Sequence, residues 1–115
     1  MAADDEQAIL IMLTAGDRSD AERLGEGLVV ERLAGHCSVV PSVHSFYYLD
    51  GLLQRESQAL LMVKTVKSRS SAVYEYLRKH HSYEMPEIYE VSIDDGSPQY
   101  LKWLAAQVAK PGSDR

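Results

Sequence analysis

The pattern of hydrophobic and polar residues predicts that the chain begins with a buried strand and an amphipathic helix. The continuous apolar run at residues 9–13 is typical of a strand buried on both faces. After the break at Gly16-Asp17, leucines recur at helical spacing between charged residues, which predicts a helix ending near Gly35. Ser19 and Glu22 have the spacing of a capping box, so we expect the helix to begin at this pair.

Two long strands joined by a tight turn come next. Residues 38–49 are rich in Val, Phe and Tyr, and the chain returns through residues 54–67. Asp50-Gly51 between them is a dipeptide typical of β-hairpin turns. Pro41 cannot donate to a strand ladder, so we expect it at a sheet edge or a bulge. Each arm of this hairpin is about twice the usual strand length of ~5–6 residues.

The remaining pattern predicts a helix, a strand and a last helix. The second helix follows Ser70-Ser71, the strand covers residues 88–93, and Ser97-Pro98 can cap the last helix. The order β-α-β-β-α-β is that of a ferredoxin-like split β-α-β sandwich, an α+β fold with two helices on one face of an antiparallel sheet. We expect a single domain over residues 8–109, with a flexible acidic tail at 1–7 and another flexible tail at 110–115.

The long hairpin also predicts an oligomer. Two short helices cannot cover its far end, which would leave open strand edges and an apolar surface in water. A partner chain is the simplest cover for these side chains: Phe46, Tyr47, Tyr48, Leu49, Leu52 and Leu53.

Composition and charge argue against two classes of partner, nucleic acids and membranes. The net charge of −5 argues against a nucleic-acid partner, which would need a basic surface. No apolar run approaches the ~20 residues of a membrane-spanning helix, so no membrane partner is expected. The single cysteine, Cys37, suits a reducing compartment, and the acidic start does not resemble a signal peptide. We therefore expect a cytoplasmic location.

Residues 80–88 contain the highest density of side chains that can coordinate or hydrogen-bond: two imidazoles, a phenol and two carboxylates, together with a proline. A polar loop leading into a strand is a common place for a binding site. Tyrosine and histidine are also common at half-buried connections, so both interpretations remain open.

Imidazole and thiolate are the ligands that Cu²⁺ and Zn²⁺ prefer, which makes His81, His36 and Cys37 candidate metal ligands. No pair has the spacing of a dedicated metal site. The adjacent His80 and His81 would diverge by about 100° at a helix end. Cys37 is equally well explained as a small buried strand residue.

Three strings of the sequence are distinctive: Leu60-Leu61-Met62-Val63-Lys64-Thr65, Tyr83-Glu84-Met85-Pro86-Glu87-Ile88 and Tyr100-Leu101-Lys102-Trp103-Leu104. They resemble the CutA family, the divalent-cation tolerance proteins, and the likeness extends over residues 8–106. The resemblance implies a homotrimer of ferredoxin-like subunits whose hairpins pair between neighbours, with no firmly attached enzymatic activity. It also implies a link to tolerance of copper and other divalent ions, and a trimeric architecture similar to that of PII signalling proteins.

The chain departs from the family pattern at three places. Ser82 replaces the usual proline of the polar loop, and His36 stands at the usual cysteine position, with Cys37 expected on the opposite face of the strand. The usual Arg and Trp before the hairpin turn are replaced by Tyr48 and Leu49. Functions that depend on the family's cysteine or hairpin tip are therefore in question for this chain.

By the same resemblance, a second group of residues lies around the cleft between subunits: Lys64, Tyr83, Glu84, Glu87 and Trp103. Lys64 could form a structural ion pair with Glu84 or Glu87. Alternatively, the group could bind a small anionic or aromatic ligand, with Lys64 meeting the charge and Trp103 or Tyr83 stacking.

The sequence thus predicts a homotrimeric, non-enzymatic CutA-like protein that binds divalent metal weakly or serves as a regulatory or scaffolding module. No cofactor is required, and Cu²⁺ or another divalent ion is the expected metal. The alternative is a PII-like sensor with a small molecule in the intersubunit cleft. An enzyme using His81 and Glu84 as acid and base has the least support.

Overall fold

The computed structural model describes residues 6–82 and 87–109 and shows an α+β fold. Four antiparallel strands form one sheet in the order β2-β3-β1-β4, which is the predicted ferredoxin-like arrangement. A 3₁₀ turn at Lys67–Arg69 leads into the second helix. The elements in chain order are β1 (Ala8–Ala15), α1 (Arg18–Val30), β2 (His36–Leu49), β3 (Leu52–Val66), α2 (Ser70–His80), β4 (Ile88–Ser92) and α3 (Pro98–Gln107).

The core lies between one face of the sheet and helices α1 and α2. Strand side chains alternate between the two faces, and the odd-numbered positions of β1 and β3 face this core. The largest fully buried core side chains are aliphatic: Ile9, Ile11, Leu13, Leu24, Leu28, Leu61, Val63, Val73 and Leu77. The even-numbered positions face the other way and are only half-buried at Leu10, Met12, Leu60, Met62 and Lys64.

Helix α1 begins and ends differently from the prediction. Asp17, and not Ser19, is the N-cap, because its Oδ1 accepts a hydrogen bond of 2.8 Å from the backbone N–H of Asp20. The helix ends at Val30 and not near Gly35, since Arg32 adopts a left-handed conformation with φ of 60°. The capping-box prediction was therefore wrong, and the end of the helix was placed about one turn too late.

The hairpin is as long as predicted. Its arms contain 14 and 15 residues, and positive φ values of 52° at Asp50 and 79° at Gly51 give the expected tight turn. The β2–β3 register shifts between Val40 and Val43, which places Pro41 at an irregularity of an edge strand. Strand β1 reaches only as far as Ala59 on β3, so the hairpin beyond that point is a two-stranded ribbon.

The edge strand β4 is tied to the helical layer by Glu90. Lys67 Nζ donates to Glu90 Oε2 at 2.6 Å, and the hydroxyl of Tyr74 donates to Oε1 at 2.8 Å. The bond from Lys67 is the main reason why the pKa of Glu90 lies below its usual value. Burial, and then the bond to Glu90, raise the pKa of Tyr74 to about 12. Sequence reasoning did not find this link.

The predicted flexible tails at residues 1–7 and 110–115 stay predictions. Gln7, which the sequence assigned to the first tail, donates from Nε2 to the carbonyl of Ile93 at 2.6 Å. Residues 1–5 and 110–115 lie outside the described part of the chain. Within the described part, no helix is long and apolar enough to cross a membrane.

Candidate functional site

Three of the predicted site residues, His36, Lys64 and Trp103, come together at one end of the sheet. His36 begins β2 and lies directly opposite Lys64 on β3. Trp103 on α3 approaches the His36 ring edge-on, with ring centroids 6.4 Å apart. Two residues that the sequence did not single out, Ser38 and Tyr100, complete what we call the His36–Lys64 cluster: His36, Ser38, Lys64, Tyr100 and Trp103.

Helix α3 supplies the aromatic side of this cluster. Ser97 caps the helix by accepting from the N–H of Tyr100, and Pro98 occupies the first turn, as predicted. Tyr100 and Trp103 are three residues apart and stack with ring centroids 5.7 Å apart. The Tyr100 hydroxyl lies 2.8 Å from Nδ1 of His36, so the two side chains are hydrogen-bonded.

Lys64 supplies the positive charge. Its side chain is half-buried, and Nζ donates to Ser38 Oγ at 2.6 Å. Within residues 6–82 and 87–109, Lys64 forms no ion pair with a carboxylate. The predicted partner Glu87 is exposed just before β4, and Tyr83 and Glu84 lie outside the described residues.

The electrostatics of the cluster favour a neutral His36 beside a charged Lys64. Partial burial, and then the nearby Lys64 ammonium, lower the pKa of His36 below its usual value. Burial also raises the pKa of Tyr100. At neutral pH the described cluster therefore carries one positive charge, on Lys64, and the imidazole can accept or donate a hydrogen bond according to its tautomer.

Cys37 lies on the opposite face from His36, as predicted, and packs against the core. It lines a groove of about 540 Å³ between α1 and β2, whose rim includes Glu22 and Glu26. Burial raises the pKa of the thiol to about 11. Because metal ions bind the thiolate, this position is a poor ligand at neutral pH.

His81 is buried at the other end of the sheet. Its Nε2 lies 2.8 Å from the backbone carbonyl of Thr14, which can only accept, so Nε2 carries the proton. Thr14 pairs with Leu60 on β3, and His36 pairs with Lys64 on the same strand. These two positions on β3 are four residues apart, which corresponds to roughly 13 Å along the strand. Within one chain, the candidate ligands His36 and His81 therefore do not meet.

The start of the polar loop is anchored to α1. Arg23 donates to the carbonyl of His80 at 2.9 Å and to Asp20 at 2.6 Å, and the hydroxyl of Ser82 donates to Asp20 at 3.3 Å. The bond from Arg23 is the main cause of the lowered pKa of Asp20. His80 stacks on Tyr76 while His81 turns inward, which confirms that the adjacent histidines diverge.

No group of three or more His, Cys, Asp or Glu side chains that could hold a metal ion is present among the described residues. The candidate ligands His81, His36 and Cys37 do not form such a group with one another within the described residues. An ion bound by this subunit alone would have few ligands.

Comparison with known proteins identifies the family. A family model described as CutA1 divalent ion tolerance protein matches residues 9–107, which is most of the chain. The chain belongs to the CutA family. The divalent-cation tolerance protein CutA of Citrobacter koseri is 32% identical to this chain over 102 residues, and the aligned region covers 89% of each protein.

Solved CutA structures share the fold. CutA1 from Oryza sativa superposes with a TM-score of 0.87 at 29% identity, covering 90% of this chain and 95% of that one. A protein from Archaeoglobus fulgidus, described as a periplasmic divalent cation tolerance protein CutA, gives a TM-score of 0.85 at 25% identity, covering 89% and 99%. The ferredoxin-like architecture of this chain is thus the CutA architecture.

Ser38 and Tyr100 could have been found from sequence, although the signals are weak. Ser38 is two residues from His36, so both project from the same face of a strand. Tyr100 is three residues before Trp103, which places both on one side of a helix. Nothing in the sequence, however, indicates that α3 would meet the start of β2.

Proposed function

We propose that this protein is a homotrimeric, non-enzymatic CutA module of divalent-cation tolerance that binds divalent metal ions weakly. The observation that carries the proposal is the projecting hairpin, whose apolar side chains are uncovered in the single chain. Family membership supplies the number of subunits and the link to divalent ions.

The hairpin tip is too apolar to remain in water. Large side chains there are 41–74% exposed, and a two-stranded ribbon is marginally stable without a third strand or a packing surface. Pairing with a second copy of the hairpin would bury the side chains and satisfy the strand edges. The exposed residues are Phe46, Tyr47, Tyr48, Leu49, Leu52 and Leu53.

A charge placed in this surface tests the assembly. We expect Tyr48→Asp to shift the protein towards monomer in sedimentation velocity, because a buried unpaired carboxylate opposes association. Val30→Asp is the matched control, since Val30 is 76% exposed on α1 and Tyr48 is 74% exposed on the hairpin. A Tyr48→Asp variant that sediments like the unaltered protein would contradict the role of the hairpin.

Metal binding is proposed to be weak because each candidate ligand is compromised. The Cys37 thiol is protonated at neutral pH, and Nε2 of His81 is committed to Thr14. His36 is exposed, and its Nδ1 contact with Tyr100 leaves Nε2 for a metal. The Lys64 ammonium next to His36 repels any cation that binds there.

Copper titration by calorimetry tests this assignment. We expect weak Cu²⁺ binding that His36→Ala removes and Lys64→Met tightens, because the variant lacks the repelling charge. His44→Ala serves as the control, since His44 is an exposed histidine farther along the same strand. Binding that survives His36→Ala and disappears in His81→Ala would move the site to His81 and overturn this assignment.

The remaining parts of the proposal concern the cellular location, a sensor role and catalysis. A cytoplasmic location suits the free Cys37, although the Archaeoglobus fulgidus relative is described as periplasmic. The comparisons do not favour a PII-like sensor, because the family model and the relatives named above are CutA proteins. Acid–base catalysis by His81 is not supported by its buried ring and its bond to Thr14.

A further inference from the structure

We infer that the groove between α1 and β2 binds a small organic cation with an apolar body, such as an arylalkyl amine. This ligand site goes beyond the proposed function and requires neither the metal ion nor the assembly. Its parts are apolar walls, an inner side closed by Gly25 and Cys37, and two carboxylates on the rim.

The groove has the size of a small-molecule site. Its volume of about 540 Å³ lies within the range of ~300–1,000 Å³ that is typical of ligand pockets. Its inner side is closed because α1 lies close to β2, so that a Cβ added to Gly25 would be 3.3 Å from Cβ of Cys37. The groove is thus open towards solvent and closed towards the core.

The walls of the groove are apolar. Val29 and Val30 of α1 are 37% and 76% exposed, and Val39 lines the groove from β2. The Cys37 thiol is uncharged at neutral pH, because burial raises its pKa to about 11, and it therefore adds to the apolar surface. The apolar body of a ligand would cover these walls and remove them from water.

The rim of the groove carries negative charge. Glu22 and Glu26 are four residues apart on α1, so their carboxylates lie on the same side of the helix and repel each other. Glu22 lies 3.6 Å from Nε of Arg18 in a pair that is exposed at both ends, and such pairs contribute little. Within residues 6–82 and 87–109, Glu26 forms no ion pair. An ammonium group placed between the two carboxylates would offset their repulsion.

Anions and neutral apolar molecules fit this groove less well than a cation does. The rim carboxylates repel an anion, and the net charge of −5 on the chain adds to that repulsion. A neutral apolar molecule would cover the valines and leave the carboxylates uncompensated. A cation with an apolar body is the ligand class that uses both the walls and the rim.

Cys37 reports on the groove, because it lines the groove and is the only cysteine in the chain. Phenethylammonium is the probe, and it should slow the reaction of Cys37 with N-ethylmaleimide along a saturable curve measured by mass spectrometry. Phenethyl alcohol, which has the same body without the charge, should protect about threefold more weakly, as expected for the loss of an exposed ion pair. Methylammonium should also protect more weakly, because it lacks the apolar body.

Variants locate the bound cation through the concentration that gives half of the protection. Glu26→Gln should raise this concentration about threefold for phenethylammonium and leave it unchanged for phenethyl alcohol. Glu31→Gln is the matched control, since Glu31 is exposed at the end of the same helix and does not line the groove. Val29→Ala should weaken protection by both probes, because it removes part of an apolar wall. Circular dichroism of each variant checks that the fold is retained.

Four results would overturn the inference: a Cys37 that N-ethylmaleimide does not reach in the ligand-free protein, protection that does not saturate, equal protection by phenethyl alcohol, or undiminished protection in Glu26→Gln. The first is expected if a neighbouring copy covers the groove. Sedimentation on the same samples keeps the two proposals apart, since a trimer without protection contradicts only the ligand site. A monomer with protection contradicts only the assembly.

Discussion

His36 and Lys64 lie directly opposite each other on β2 and β3, and their side chains share one end of the sheet. Partial burial, followed by the Lys64 ammonium, holds the pKa of His36 below its usual value. This end of the sheet thus places an imidazole next to a cation. A divalent metal ion bound at His36 would therefore be repelled by the Lys64 ammonium.

This relationship can be measured directly. We expect the pKa of His36 to rise in Lys64→Met, because the repulsion disappears, and to remain below its ordinary value, because burial persists. The imidazole proton resonances followed by NMR across the titration give this pKa. Lys67→Met is the control, since the Lys67 ammonium is bound to Glu90. An unchanged or lower His36 pKa in Lys64→Met would contradict the described electrostatics.

The lowered pKa of Glu90 predicts that the folded protein loses stability at acidic pH. The folded state holds its pKa below the unfolded value, so its contribution to stability is present above about pH 4.5 and is lost as pH falls through the folded pKa. Glu90→Gln should lower the free energy of unfolding by about 1–2 kcal/mol at pH 7, since its bonds to Lys67 and Tyr74 are weakened.

Urea unfolding at pH 7 and pH 3 tests this prediction. The difference between the unaltered protein and Glu90→Gln should shrink at the lower pH, because protonation of Glu90 removes the charge that strengthens its bond to Lys67. A stability difference that stays constant or grows on acidification would show that the carboxylate charge is not the cause.

The fold was predictable where local chemistry decides. The Asp50-Gly51 turn needs positive φ at both residues, and Ser97-Pro98 suits only the start of a helix, so both were found from the sequence alone. Pro41 marked the edge strand because it cannot donate to a ladder. Each of these features is determined by residues that are close together in the chain.

The start of α1 shows the limit of that reasoning. Asp17 and Ser19 are both good capping residues and lie two positions apart, so the local sequence offers two starts. In the structure Asp17 is the N-cap, and Ala21, Leu24 and Leu28 of the helix face the sheet. The capping motif by itself does not distinguish between the two starts.

The choice of cap gives a third prediction. Asp17→Ala should lower the free energy of unfolding by about 1 kcal/mol, because the Asp20 N–H loses its acceptor. Ser19→Ala should change stability by less than about half of that, since Ser19 is exposed within the first turn. Thermal unfolding of the two variants provides the comparison, and a larger loss in Ser19→Ala would favour the capping box instead.

The candidate site was only half predictable for a related reason. Lys64 and Trp103 were expected near each other by family resemblance, and His36 was chosen for its chemistry. The contact between His36 and Tyr100 joins residues 64 positions apart, which no local pattern encodes. Likewise, the bond from His81 to Thr14 depends on where α2 ends relative to β1.

The molar mass of the unaltered protein in solution distinguishes a trimer from a single chain. If the hairpins pair between subunits as proposed, light scattering at micromolar concentration gives three times the chain mass of 12.9 kDa, because this pairing covers their apolar surface. A mass of one chain under the same conditions would contradict it.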